Sequence, residues 1–154
     1  MRKFCPHVLV AGLLTLGCGS DQGADAGLPT SLVGTWVAQP ACAPPCAFTL
    51  TMEADPSLQI DAVSQLGVSV NIAVTRGGAF TLAFTGGSGA QSGTVRAEGD
   101  LLIVRDGTGT TDTIDWRIDA DLLHLDFRRR FTVLDFTQDG VPDAAIAAGV
   151  FQRN

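Results

Sequence analysis

Lysine is all but missing from this 154-residue chain, where its one copy is Lys3. Histidine occurs only as His7 and His124, and acidic residues outnumber basic ones 16 to 10. With no lysine beyond position 3, the body of the chain has no group for Schiff-base chemistry. An acidic balance without a basic stripe excludes the electrostatic footprint that nucleic acid or anionic lipid headgroups require. No serine stands in G-x-S-x-G, because "GGSGA" ends on Ala90 where the last glycine belongs, so there is no nucleophile elbow. "GGSGAQSG" is not followed by a helical pattern and does not read as a phosphate cradle. Coiled-coil heptads and solenoid repeats are also absent. His124 falls beside Asp126 on the polar face of a strand, where a solvated or salt-linked role is expected. With no catalytic constellation left, the chain is expected not to be an enzyme.

Long apolar runs are scarce as well. The longest, Val8 to Leu16, lies in "MRKFCPHVLVAGLLTLGCGS", behind a basic start at Arg2 and Lys3 and ahead of small residues. It falls short of the roughly 20 apolar residues that span a bilayer, and it reads as a secretory signal over residues 1–17. "LTLGC" resembles the bacterial lipobox, in which a small residue precedes a cysteine that is acylated and becomes the mature N-terminus. Gly17 and Cys18 fit that pattern, while Thr15 stands where leucine is usual, which leaves ordinary signal-peptidase cleavage open. The resemblance implies a lipid anchor on Cys18 and a place in the bacterial cell envelope, facing periplasm or cell surface. Two or more acyl chains hold firmly to a membrane where one does not. Removing residues 1–17 leaves 10 − 2 = 8 basic residues against 16 acidic ones, a formal charge of −8. "GSDQGADAGLPT", which follows Cys18, is small and polar. Residues 18–30 form a flexible tether of this kind, and about 12 such residues reach on the order of 20 Å.

From Ser31 to Asn154 the pattern alternates strand and turn. Phe48, Leu50 and Met52 alternate with Thr49, Thr51 and Glu53; Val68, Val70, Ile72 and Val74 share one face. This is period two, which helices do not show. "GGAFTLAFTGG" follows, and hairpins are expected to turn at Glu98-Gly99-Asp100 and Asp119-Ala120-Asp121. The last pair of strands is joined by "VLDFTQDGVPDAAIAAG". "DPSLQIDAVSQL" (55–66) reads as a short helix or a loop. An all-β antiparallel up-and-down meander has two ways of hiding its edges: closing into a barrel or folding over as a β-sandwich. Nearest-neighbour hairpins favour the barrel, with the sandwich as alternative.

"LVGTWV", with Gly34 and Trp36 at the head of the first strand, resembles the G-x-W opening of lipocalins and of lipocalin-like domains in bacterial lipoproteins. The resemblance implies a lipocalin-like barrel over residues 31–154, with Trp36 plugging one end, often against an arginine from a late strand. Arg128, Arg129, Arg130 and Arg153 are all candidates. A lipocalin helix after the barrel strands has no counterpart here, since the chain ends in a strand. A barrel of eight strands holds one small hydrophobic ligand or is filled by its own side chains. Phe80, Leu82, Phe84, Trp116, Leu123, Phe127 and Phe131 are bulky, whereas Ala144, Ala145, Ala147 and Ala148 leave room, so both readings stay open.

Three further features bear chemistry. Asp135, Thr137, Asp139, the Val141 carbonyl and Asp143 stand at calcium-loop spacing around Gly140, and hard cations take several oxygens at about 2.4 Å. Thr137 replaces the usual Asn or Asp, and a tight Asp-Gly turn explains the same residues. Cys42 and Cys46 are an even pair, for which a structural disulfide is expected outside the cytosol. Arg128-Arg129-Arg130 reads as a solvated edge that discourages sheet pairing, or as an anion-receiving rim.

Overall fold

The computed structural model describes residues 27–42, 46–85 and 90–154. The signal, Cys18 and the tether as far as residue 26 lie outside them. The elements in chain order are β1 (Gly34–Ala38), β2 (Ala47–Met52), β3 (Gln59–Asp61), α1 (Ala62–Leu66), β4 (Val70–Val74), β5 (Ala79–Phe84), β6 (Ala90–Glu98), β7 (Leu101–Asp106), β8 (Thr111–Asp119), β9 (Leu122–Leu134) and β10 (Asp143–Arg153). Strands β4 to β10 pair as consecutive antiparallel neighbours, and β1 lies between β4 and β10. Trp36 opposite Arg153 and Val37 opposite Gln152 seal the ring. The fold is an all-β, eight-stranded, up-and-down barrel, as the meander pattern predicts, and not a sandwich.

The first hairpin of this barrel is split. β2 lies on Ala145–Val150 of β10 and β1 on Gln152–Arg153, so the two run end to end along one edge. On their far side β1 pairs β4 and β2 pairs β3. β1 and β2 thus lie along one line on the edge of β10, and β3 and β4 form its return, parted by α1. Asp61 makes the second interruption. Its backbone is extended (φ −85°, ψ 105°), and its carboxylate accepts the N–H groups of Val63 and, across on β2, Phe48, each at 3.1 Å. That is N-capping by Asp, and Gly67 ends the helix at φ +66° with its N–H on the Ala62 carbonyl. Both readings of 55–66 hold part of the truth: a turn, three residues of strand and one and a half turns of helix.

The expected hairpins form at Gly99 (φ +64°) and at Ala120-Asp121 (φ 47° and 66°). Two successive positive φ values match the twist of the flanking strands, although alanine tolerates that region poorly. Inside, alternate residues of every barrel strand join one apolar cluster that includes Trp36, Phe48, Ile72, Leu82, Leu102, Leu125 and Phe151. Among the described residues no polar or charged side chain is buried.

Candidate functional site

One end of the barrel is closed by the residues the resemblance singles out. Trp36 is fully buried and donates its indole N–H to the Leu32 carbonyl at 2.9 Å. Arg153, its cross-strand neighbour, lays its guanidinium over the indole with Cζ 4.2 Å from the ring centroid. The same guanidinium donates to the carbonyls of Val33, at 2.9 Å, and Ser31. This stitches the segment before β1 to the last strand. Gly34 makes the approach possible: it has φ +142°, and a Cβ there would meet Arg153 Nη1 at 2.7 Å. Of the four arginines considered, the structure selects Arg153. The signal was present in the sequence, because in a closed meander the last strand must neighbour the first.

The barrel lining is aromatic. Phe48 sits among Phe84, Phe151 and Phe127 with centroids 5.5, 6.4 and 5.9 Å away, all edge-to-face, and Phe127 continues to Phe131 at 5.7 Å. The small residues of β10 leave room for these rings. Ala145 and Ala147 are buried, and a Cβ on Gly149 would strike Phe151 at 2.3 Å and approach Phe48 at 3.3 Å. Phenyl groups thus occupy the space directly over Gly149.

At the other end is the mouth. Asp112, on the same face of β8 as buried Ile114, reaches Arg129 Nη1 at 3.0 Å, and both border a crevice with Phe80, Phe127 and Phe131. The crevice has about 20 Å³. That is room for one water, which needs roughly 10–15 Å³. Arg129 shares a face with Phe127 and Phe131 by strand alternation, and here β9 bulges against β10, with two extra residues between the pairs Asp126–Ala148 and Arg130–Ile146. Each arginine of the basic run has a carboxylate partner. Arg128 binds Asp115 through two bonds of 2.5 and 2.6 Å, Arg129 binds Asp112, and Arg130 reaches Glu53 at 2.7 Å. Its charges are matched by the chain's own carboxylates. The Arg128 hydrogen bond and charge hold the Asp115 carboxyl below its usual range against a smaller effect of desolvation.

The β9–β10 hairpin at the mouth holds the aspartates with calcium-like spacing. Asp135 accepts the N–H groups of Asp139 and Gly140 at 3.1 and 2.8 Å, and Asp139 accepts Val141 N–H at 2.8 Å. Asp143 accepts those of Phe136 and Thr137 at 2.8 and 3.1 Å and the Thr137 hydroxyl at 3.3 Å. Each carboxylate is turned onto the backbone of its own turn, and Gly140 takes φ +88°. Among the described residues no three acidic, histidine or cysteine side chains come together as a metal site. As the structure stands, Asp135, Asp139 and Asp143 cap the backbone of their own turn, and the Thr137 hydroxyl bonds to Asp143. Val141 itself points outward, 63% exposed.

Cys42 and Cys46 flank the interruption between β1 and β2. Both are free thiols in the structure, so the expected disulfide is not formed there. They are nonetheless neighbours: each sulfur faces the Val37 carbonyl, at 3.7 and 4.0 Å. Burial, with Cys42 beside it, pushes the Cys46 thiol up to about 11. His124 lies on the outer face, its Nδ1 3.2 Å from Arg117 Nη2.

Comparisons with protein-family models, curated proteins and solved structures found no match. The likeness to lipocalins rests on the barrel and on the Gly34, Trp36 and Arg153 geometry.

Proposed function

We propose that this chain is a lipid-anchored protein of the bacterial cell envelope, with a lipocalin-like barrel that is filled by its own side chains and works through its outer surface. The observation that carries the filled reading is the ring cluster on Phe48, seated on Gly149 in the space a ligand would need. Support for the anchor comes from the sequence alone, through the signal-like run and Cys18. The matched ion pairs of the outer wall and mouth fit a surface role better than proton transfer.

In the oxidising envelope Cys42 and Cys46 are proposed to close into a disulfide. The two thiols lose two hydrogens to a partner disulfide, which is reduced to its dithiol. The bond would clip together the two ends of the interruption between β1 and β2.

Native mass spectrometry of the protein extracted from its own host tests the filled barrel. No co-purifying small molecule is expected, and a stoichiometric apolar ligand lost on unfolding would restore the alternative reading of a carrier. Intact mass reads the anchor: acyl chains on the native N-terminus, absent in Cys18→Ser. A mature chain that begins elsewhere and carries no acyl group would refute the anchoring. The same non-reduced sample should weigh two hydrogens less than the dithiol form.

A further inference from the structure

Strand β6 outruns its neighbour on one side. The ladder to β5 ends at Ala79 opposite Thr94, after which Val95 N–H reaches the Gly78 carbonyl at 2.7 Å. Beyond that point Arg96, Ala97 and Glu98 pair only with β7 among the described residues. Strand alternation then places the Val95 carbonyl and both the N–H and the carbonyl of Ala97 on the side where β5 has stopped. An open edge of this kind is a template for another strand.

Beside this edge lies a groove of about 530 Å³. Such a volume is within the roughly 300–1,000 Å³ of ordinary ligand sites. Gly77 and Gly78 line one side without side chains, and a Cβ on Gly77 would meet nothing within 4 Å. Ile103 offers apolar surface, and Arg96 and Arg105 flank it from adjacent strands. The same β4–β5 turn carries exposed Arg76.

The charges here differ from those at the mouth and at the Trp36 end. Arg128, Arg129 and Arg130 are matched by carboxylates, and Arg153 is held by carbonyls and Trp36. Arg76 and Arg105 have no acidic partner among the described residues, and Arg96 has only the exposed Glu98. Among the described residues Arg117 also lacks an acidic partner, on the outer face beside His124, but Arg76, Arg96 and Arg105 come together on the two sides of this one groove.

We propose that this groove receives an extended acidic peptide segment of a partner protein. The segment adds as a short strand to the edge of β6, its side chains pairing with Arg105, Arg96 and Arg76. Strand addition supplies affinity through the main chain and specificity through alternate side chains. A free oxyanion would satisfy the Ala97 N–H but leave the two carbonyls unused. The proposal rests on the reading of the barrel as a surface-working module. A ligand found inside the barrel would overturn that reading and leave this groove untouched.

The test is fluorescence anisotropy with the full acylated chain in detergent. The probe is a fluorescein-labelled Asp-Val-Asp-Val-Asp-Val peptide, set beside the same peptide N-methylated on alternate amides and a Lys-Val counterpart. Saturable binding of the first peptide alone is expected, weakened about tenfold or more by Arg105→Glu with Arg96→Glu, and weakened also at high salt. Ala97→Pro, which removes the edge donor, should weaken it too while the melting midpoint confirms a folded barrel. Equal binding of the N-methylated peptide would reduce the site to bare charge and sink strand addition. Undetectable binding of the acidic peptide, indifference to the arginine pair, or a self-association that buries the groove would equally overturn the proposal.

Discussion

Arg153 shows how much one exposed side chain can hold. Its guanidinium joins an indole, two carbonyls and the seam between first and last strands, and hydrogen bonds made by a charged group contribute about 1.5–3 kcal/mol each at most. Arg153→Ala is expected to lower stability by about 2 kcal/mol, read from urea midpoints, with the slope unchanged. Gly34→Ala should act similarly, by about 1–3 kcal/mol, because φ +142° strains any side chain and the added methyl strikes the guanidinium. In the double variant the two losses should fall short of additive, since both act on one contact. Gly149→Ala tests the interior. A methyl 2.3 Å from the Phe151 ring forces the phenyl cluster to repack, for about 1–3 kcal/mol, whereas a roomy ligand cavity would absorb it with little change.

At the scale of elements, α1 depends on Asp61. Burial pushes its carboxyl up, but hydrogen bonds from the Ser64 hydroxyl and from the N–H groups of Phe48, Val63 and Ser64 outweigh that and hold it below the usual carboxylate range. The folded state thus prefers the ionised form. Its contribution is fully present above the unfolded value of about 3.9 and is lost as pH falls through the lower folded value. Asp61→Asn should flatten the acid limb of a stability-versus-pH curve, and Asp61→Ala should cost about 1–2 kcal/mol at neutral pH. For the β9–β10 hairpin, thermal unfolding should be the same in millimolar calcium and in EDTA, while Asp143→Ala lowers the midpoint. A calcium-dependent rise would reinstate the metal. Spacing alone cannot separate these readings: Asp135, Asp139 and Asp143 fall at the same intervals whether their oxygens face a cation or the N–H groups of a turn. Similarly, period two was legible in β2, β4 and β5 because large apolar residues recur at every second position there. It was not legible in β3, where three residues are too few to show a period and the capping Asp61 is the last of them. The bulge in β9 was hidden because Arg128, Arg129 and Arg130 keep no alternation at all.

For the whole molecule, closure ties Trp36 to a partner 117 positions later, Arg153. Pairing at such range loses loop entropy before contacts compensate it, so refolding in milliseconds to seconds is expected, well behind helical domains of like size. Several carboxyls, Asp55, Asp106 and Asp115 along with Asp61, sit below their usual range through hydroxyl, N–H or guanidinium donors. Stability should therefore be level through neutral pH and fall below about pH 4, where protonation of these groups favours the unfolded chain. The closed meander could be read from the sequence because hairpin follows hairpin. Its broken first strand could not, since β1 and β2 each look complete, and only their shared edge on β10 reveals them as halves of one. That shared edge carries a consequence for synthesis. The strand that seals the tube, β10, follows every other strand in the chain, so a nascent chain stays an unsealed ribbon until β10 has been made, a form that can still be threaded through a narrow passage.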